Sequence, residues 1–404
     1  MTTVAITGQG VISSLGLTIP DFCAGLDKAT VAVEATPWSA ETGGHLYYSP
    51  VTGFDPTHWL DERTERGSDR FAQYAVAAAA EAVADCGIGQ LDPLRTAVVM
   101  GTSMAGAATL AGAQEAYDAG GYGSVPKKLQ MMAWPNMAAG HIALRWNLHG
   151  PLLTISTACA SSLDAIGIAA RMIASGQADV AIAGGTDNGG VKISSLGAAR
   201  YGMSPTDIDN PHEICRPFDR NRKGVMGGDG AGVVILERAE HARARGARID
   251  GIVRGYGSLS DGYHPSSPDP SARWEIAAMQ AAQTDAGLHP GEIGAVVAHG
   301  TGTPVGDAAE ILAINTVFGE SVCATSIKGH VGHTAGAAGV MGVITGLHTL
   351  ATRALPPTAS TTDLEPDIQF RVPLGSPGSV DLDAFQVNAF GFAGQNASLV
   401  ISRD

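Results

Sequence analysis

Short apolar runs alternate with alanine-rich stretches of helical period along this chain. TVAITG reads as a strand, FAQYAVAAAAEAVADCG as a helix and TAVVMG as a strand. LLTIST, DVAIAGGTD and GAGVVILE continue the strand series, with a helix predicted from Ala160 to Ser175 and ended by Gly176. After Arg248 the pattern restarts: IDGIVRGYG as a strand, WEIAAMQAAQTDAG as a helix, and IGAVVAHGTGT as a strand running into a loop. This alternation predicts an α/β fold with buried sheets. The restart predicts two similar halves, residues 1–247 and 248–404. Two segments echo one another: TISTACASSLDAIGIAARMIASG and ATSIKGHVGHTAGAAGVMGVITGLHTLATRA each read as strand, tight loop and helix. Cys159 and His333 stand at corresponding helix starts, which would bring two helix N-termini to one site.

Composition narrows the class. The chain has 404 residues, room for two or three domains or two fused halves. Charged residues are only 16% and hydrophobic ones 45%, the balance of a well-buried globule and not of a disordered chain. The 53 glycines follow no period, so collagen-like and linker readings fail. A net charge of −14 disfavours nucleic-acid binding while leaving room for a small basic patch facing an acidic partner. The five cysteines include no CxxC pair, which fits a reducing cytoplasm better than a disulfide framework. The N-terminus lacks the basic and apolar regions of a signal peptide. The uncharged stretches Thr96 to Gln114 and His333 to Thr352 are rich in Gly, Ala, Ser and Thr, and read as buried helices and turns, not membrane spans.

Cys159 is the first chemical candidate. It follows an apolar strand and opens a helix, where the helix dipole favours a thiolate and backbone N–H groups can face a developing oxyanion. On position alone it fits a small buried core thiol equally well. His299 ends a strand and enters a loop with Thr301 and Thr303, and Lys328, His330 and His333 cluster in SIKGHVGHTAGAAG. The pair His330-x-x-His333 has no Cys, Asp or Glu ligands beside it, a poor zinc site. GxxxxGK[ST] is absent, and the glycines of VAITGQGVISSLG do not fit GxGxxG, so phosphate-loop and nicotinamide sites are disfavoured.

TACASSLDAIG, AHGTGTPVGDAAE, SIKGHVGHTAGAAG and NAFGFAGQN occur in this order, with RPFDRNRKGVMGGDGAGVVILE between the first and second. Together they resemble the β-ketoacyl-acyl-carrier-protein synthases, the elongating ketosynthases of fatty acid and polyketide synthesis. The resemblance covers nearly the whole chain. It implies the thiolase fold, two similar halves in α-β-α-β-α layers. It implies that Cys159 carries the acyl chain, that the N–H groups of Cys159 and Phe392 form the oxyanion hole, and that His299 and His333 present N–H to the thioester oxygen of a malonyl extender. By the same resemblance Lys328 orders the site with Glu310 as its carboxylate partner, Thr301 and Thr303 bind phosphopantetheine, and Met104 and Phe392 gate the acyl pocket. Met131, Met132, Trp134 and Met137 are candidates for pocket lining or a dimer interface. Arg66, Lys127, Lys128 and Arg200 are candidates for a patch receiving the acidic acyl carrier protein. No cofactor and no metal are expected. The expected partners are the carrier protein and a second subunit, identical or a chain-length-factor-like paralogue.

Four positions depart from the resemblance. Ala393 and Gln395 alter the GFGGTN loop, and Val297 and Gly342 replace an Asn and a Glu that belong to a structural cation site in several relatives. These point toward a type II polyketide or polyene enzyme and away from a bound cation. Three alternatives are a non-catalytic chain-length-factor-like subunit, a thiolase acting on coenzyme A esters, and a ketosynthase that initiates from coenzyme A. The intact Cys159, His299 and His333 oppose the first. The lack of a Cys after Cys323 opposes the second, and His333 in GHTAGAAG opposes the third.

Overall fold

A computed structural model describes residues 2–404. The first half contributes strands β1 (Val4–Ser13), β2 (Thr96–Gly101), β3 (Leu152–Ile155), β4 (Val180–Asp187) and β5 (Gly230–Arg238). The second contributes β6 (Gly251–Ser260), β7 (Ala295–Val297), β8 (Cys323–Thr325), β9 (Ala384–Gly391) and β10 (Gln395–Ser402). Their order across the sheet is β8-β7-β9-β10-β6-β1-β5-β4-β2-β3. Reading outward from the centre, the first half runs β1, β5, β4, β2, β3 and the second β6, β10, β9, β7, β8, so the topology repeats strand for strand. The senses repeat too. The two inner pairings of each half are antiparallel and the two outer ones parallel. The halves join where Val4–Ile6 of β1 pairs antiparallel with Gly251–Val253 of β6.

Six helices matter for the site: α1 (Arg70–Asp85), α2 (Ser161–Ala174), α3 (Lys192–Tyr201), α4 (Arg273–Ala286), α5 (Pro304–Phe318) and α6 (Ala338–Thr352). Helices α2 and α6 are buried on nearly every face and pack on each other, forming the central layer. Helix α1 covers β1 and β5 from outside, and α4 covers β6 and β10. This is the α-β-α-β-α layering of the thiolase fold. The GQG of β1 is not a phosphate loop, because the strand continues unbroken to Ser13. Its glycines let α1 approach: a Cβ on Gly8 or Gly10 would lie 2.3 Å or 2.0 Å from the carbonyl oxygens of Ala82 or Ala78. The second half repeats the device, with Gly255 and Gly257 against Ala282 and Ala278 of α4 at 2.1 and 2.3 Å.

The two uncharged stretches divide. Ala335–Thr352 is long and apolar enough to cross a membrane and is mostly buried in the core, as expected of a central-layer helix. In the other, β2 is buried, but the helix Ala107–Gly120 that follows buries only Ala113 and leaves Leu110 and Tyr117 exposed. The uncharged run 107–114 therefore lies on a largely exposed helix, which carries Glu115 and Asp118 beyond it, and not in the core.

Candidate active site

The repeated topology puts two corresponding connections side by side. Cys159 sits in the tight turn Ala158–Ala160 between β3 and α2, and His333 lies between β8 and α6. Both turns use a left-handed alanine, Ala158 at φ 50° and Ala335 at φ 48°, a conformation that costs about 1 kcal/mol or more for a residue with a Cβ. His299 follows β7 at the head of the loop leading to α5. His333 Nε2 lies 2.9 Å from Cys159 Sγ, and the rings of His299 and His333 stand 5.4 Å apart, edge to face.

The hydrogen bonds fix where each imidazole carries its proton. His333 Nδ1 accepts from the backbone N–H of Ala335 at 3.2 Å, so its proton resides on Nε2, facing the sulfur. Lys328 Nζ donates to the His299 carbonyl and lies 3.4 Å from His299 Nδ1, which leaves the His299 proton on Nε2. Burial, reinforced by the charge of Lys328, lowers both histidines. His333 falls to about 3 and His299 well below its ordinary value, with His333 adding to the effect on His299. Both are therefore neutral N–H donors at neutral pH, as the ketosynthase resemblance requires. Cys159 corrects an expectation. Burial pushes its thiol up to about 11, against the pull of Lys328 and of the N–H groups of Phe392 and Cys159. The helix start alone does not hold a resting thiolate. Those same two N–H groups point at the sulfur and are placed to receive an oxyanion.

A second correction concerns Glu310, which forms no ion pair with Lys328. Its carboxylate accepts from the N–H groups of His299 at 2.8 Å and Gly300 at 2.6 Å, and from Asn388 Nδ2 at 3.3 Å. It acts on Lys328 through space, opposing the burial that lowers the lysine. Burial raises Glu310 itself to about 7. His330 is not in the site, because its two ring nitrogens face the carbonyls of Thr30 and Pro357.

Cys159, His299 and His333 open into a cavity of about 530 Å3, whose lining includes Thr301, Thr303, Met104 and Phe392. The two threonine hydroxyls lie 2.8 Å apart, and Thr303 also caps α5 by accepting from Gly306 N. Phe392 is exposed and Met104 half-buried. Met131, Met132, Trp134 and Met137 do not line the cavity; Met131 and Trp134 are exposed on the surface that also carries Leu110. Of the basic candidates, Arg66 is paired with Glu62 at 2.6 Å and Lys128 Nζ reaches the Arg63 carbonyl. Lys127 and Arg200 are exposed, the latter beside Tyr201 at the cavity rim.

Sequence reasoning missed Asp187 at the end of β4. Its buried carboxylate accepts from Thr102 Oγ1, from the N–H groups of Ser103, Met104 and Ala105, and from Gly336 N of the other half. It ties the Met104 loop to the loop between His333 and α6. Sulfur and one ring nitrogen of each histidine lie within 4.8 Å of one another, so an ion such as Zn2+ would compete for these same three groups. The cation positions implied by the resemblance do not fit an ion here. A Cβ on Gly342 would lie 2.9 Å from Val387 Cγ1 and 3.4 Å from Val297 Cγ1, an apolar contact without a ligand oxygen.

The model of the β-ketoacyl synthase N-terminal domain matches residues 1–242, and that of the C-terminal domain residues 251–362. The chain belongs to the β-ketoacyl synthase family. It is 34% identical over 411 residues to the 3-oxoacyl-[acyl-carrier-protein] synthase 2 of Vibrio harveyi, covering 99% of this chain and 98% of that one. A β-ketoacyl synthase from Burkholderia phymatum superposes with a TM-score of 0.93 at 33% identity, covering 100% of both chains. A structure described as the ishigamide ketosynthase/chain length factor gives 0.93 at 30% identity, covering 100% of this chain and 99% of that one. This ketosynthase is thus an acyltransferase-type enzyme of carrier-bound substrates, and the chain-length-factor and thiolase alternatives are not favoured.

Proposed function

We propose that this chain condenses an acyl group held on Cys159 with a malonyl extender carried by acyl carrier protein, in a type II polyketide or polyene pathway. The observation that supports it best is the pair of neutral histidines whose Nε2–H groups are fixed beside the Cys159 sulfur. In the first step the Cys159 sulfur attacks the carrier thioester, the C–S bond to the carrier breaks, and the Cys159 proton passes to the departing carrier sulfur, which leaves as the thiol. The oxyanion forms against the N–H groups of Cys159 and Phe392. In the second, the C–CO2 bond of the extender breaks and its electron pair forms an enolate, whose oxygen takes the N–H groups of His299 and His333. The enolate carbon then attacks the acyl carbonyl and the Cys159 thiolate departs. These steps need no resident cofactor.

Thr301 and Thr303 at the cavity wall suit the polar phosphopantetheine arm, while Met104 and Phe392 suit the acyl path. Lys127, Lys128, Arg66 and Arg200 would receive the acidic carrier, Arg66 with its charge partly offset by Glu62. The apolar surface of Leu110, Met131 and Trp134, with Leu152 and Leu153 exposed on the edge strand β3, supports a dimer with a second copy or a paralogue. A structural relative at 26% identity and TM-score 0.87, from Xenorhabdus doucetiae, is a ketosynthase in complex with its chain length factor. The two halves, 1–247 and 248–404, are read as one catalytic unit working in the cytoplasm. Intact mass after incubation with a panel of acyl-carrier thioesters tests the reading. The parent is expected to gain one acyl group and Cys159→Ala none, and acylation of Cys159→Ala with continued condensation would overturn it.

A further inference from the structure

One side chain in the cavity has no role in the chemistry above. Glu275 belongs to the first turn of α4, is 2% exposed, and lines the same cavity as Cys159 and His299. Its Oε2 is buried without a hydrogen-bond partner. The charged groups around it are all acids: Glu310, Asp261 and Asp269. Each of those is already engaged. Glu310 accepts from His299 N and Gly300 N. Asp261 accepts from Asn396 Nδ2 at 2.5 Å and Asp269 N at 3.1 Å. Asp269 pairs with Arg273 at 3.0 Å and accepts from Ser271 Oγ. Of these four acids, Glu275 alone is left without a hydrogen-bond partner at the cavity wall. An ionised carboxylate so placed would be an uncompensated buried charge among acids, so the group keeps its proton. The shift of Glu275 well above its ordinary value, from burial first and then these acids, agrees.

A buried O–H without an acceptor, opening on a ligand cavity, calls for an acceptor on the ligand. The extender supplies one. Its carboxylate lies one methylene from the thioester carbonyl that His299 and His333 grip. Among the described residues the cavity offers that carboxylate no free cation, since Lys328 is committed to His299 and Lys223 at the rim pairs with Asp207 at 2.7 Å. We propose that the Glu275 carboxyl donates a hydrogen bond to the carboxylate of the malonyl extender and sets its position before decarboxylation. The inference rests on the ketosynthase reading of the site. An acid–carboxylate hydrogen bond is charge-assisted and short. It holds the extender without the full neutralisation that an Arg would give. When the C–CO2 bond breaks, the electron pair passes to the enolate, neutral CO2 leaves, and Glu275 retains its proton.

The bond is made on binding and kept until the C–CO2 bond breaks, so its loss appears in KM and leaves kcat near the parent's. In Glu275→Met, which keeps the volume and removes the donor, KM for malonyl-carrier is expected to rise about tenfold or more, the usual loss for a hydrogen bond to a charged group. Its kcat should stay near that of the parent, and acyl loading on Cys159, read by intact mass, should be unchanged. Glu275→Gln, which still donates, should restore KM to within about threefold of the parent. Removing an unpaired buried carboxyl should leave the melting midpoint of Glu275→Met at or above the parent's. An unshifted KM in Glu275→Met, an equal loss of acyl loading, or a lower melting midpoint would each overturn the assignment. Failure of the parent to acylate Cys159 would remove the ketosynthase reading instead, so the two failures are distinguishable.

Discussion

Lys328→Met tests the proton positions most directly. Lys328 is buried, and its ammonium donates to the His299 carbonyl and faces His299 Nδ1 at 3.4 Å. With the ammonium removed, nothing in the described surroundings obliges Nδ1 to be the acceptor, and the imidazole proton is free to leave Nε2. The enolate then loses one of its two donors. Loss of a donor of this kind costs on the order of 10²–10³ in rate, or about 2.7–4 kcal/mol of transition-state stabilisation. Acyl transfer should suffer less, because the N–H groups of Cys159 and Phe392 remain; it loses only the pull that Lys328 exerts on the Cys159 thiol. His333 is an internal control, since its tautomer is set by Ala335 N and not by the lysine. The assay is CO2 release from malonyl-carrier measured apart from acyl loading by intact mass, with nitrogen chemical shifts of the two rings reporting the tautomers. Parental decarboxylation in the Met variant, or a His299 that keeps its proton on Nε2, would refute the reasoning.

Three further outcomes follow from the same geometry. In Gly391→Ala a Cβ would stand 3.1 Å from both Cys159 N and Thr157 O and 3.2 Å from Ala158 Cβ, so the oxyanion donor must shift; acyl loading should fall about tenfold or more with folding retained, as timed mass spectra would show. In the pH profile of decarboxylation the histidines, held neutral, contribute no inflection near 6.5, whereas Glu310, raised to about 7, is ionised above that value and protonated below it. Activity should therefore be full above pH 7 and decline below it, and Glu310→Gln should abolish the inflection; an inflection at 6.5 that persists in that variant would contradict the histidine assignment. Met104→Phe puts a rigid ring at the cavity wall, an overpacking that costs about 1–3 kcal/mol, so long acyl groups should load roughly tenfold less well while short ones load normally. An unchanged ratio of long-chain to short-chain acyl-Cys159 would place Met104 outside the acyl path.

Strand positions were legible because both halves write them as apolar runs: TAVVMG is β2 residue for residue, and DVAIAGGTD contains β4. The echo between the segments at Cys159 and His333 is real in three dimensions, since β3 and β8 occupy matching places in the repeated order. Small-residue composition is the ambiguous signal. The GQG of β1 imitates a nucleotide loop because the same missing Cβ that would admit a phosphate also admits a helix backbone. Only the sheet shows that Ala82 and Ala78 occupy that space. Likewise residues 107–114 are as uncharged as a core helix, and their exposure depends on what covers them.

The candidate groups that the structure brings together were legible for a different reason: Cys159, His299 and His333 each stand at a strand-to-helix connection within a distinctive motif. The acids around them were not, because their roles are set by contacts distant in sequence. Asp187 joins Ser103 to Gly336, and Glu310 serves the backbone of His299 instead of the lysine that charge complementarity would assign to it. A sequence carries no record of whether a carboxylate is satisfied by N–H groups or by a cation, and the difference decides the chemistry. Glu310, held by backbone N–H groups, is poised to ionise near pH 7; Glu275, with no donor and only acids nearby, keeps its proton. Two glutamates that look alike in the sequence thus divide into an anion that orders His299 and a neutral acid that faces the substrate. Their opposed responses to Gln substitution follow. Glu310→Gln removes a charge the site uses, whereas Glu275→Gln preserves the donor on which its role depends.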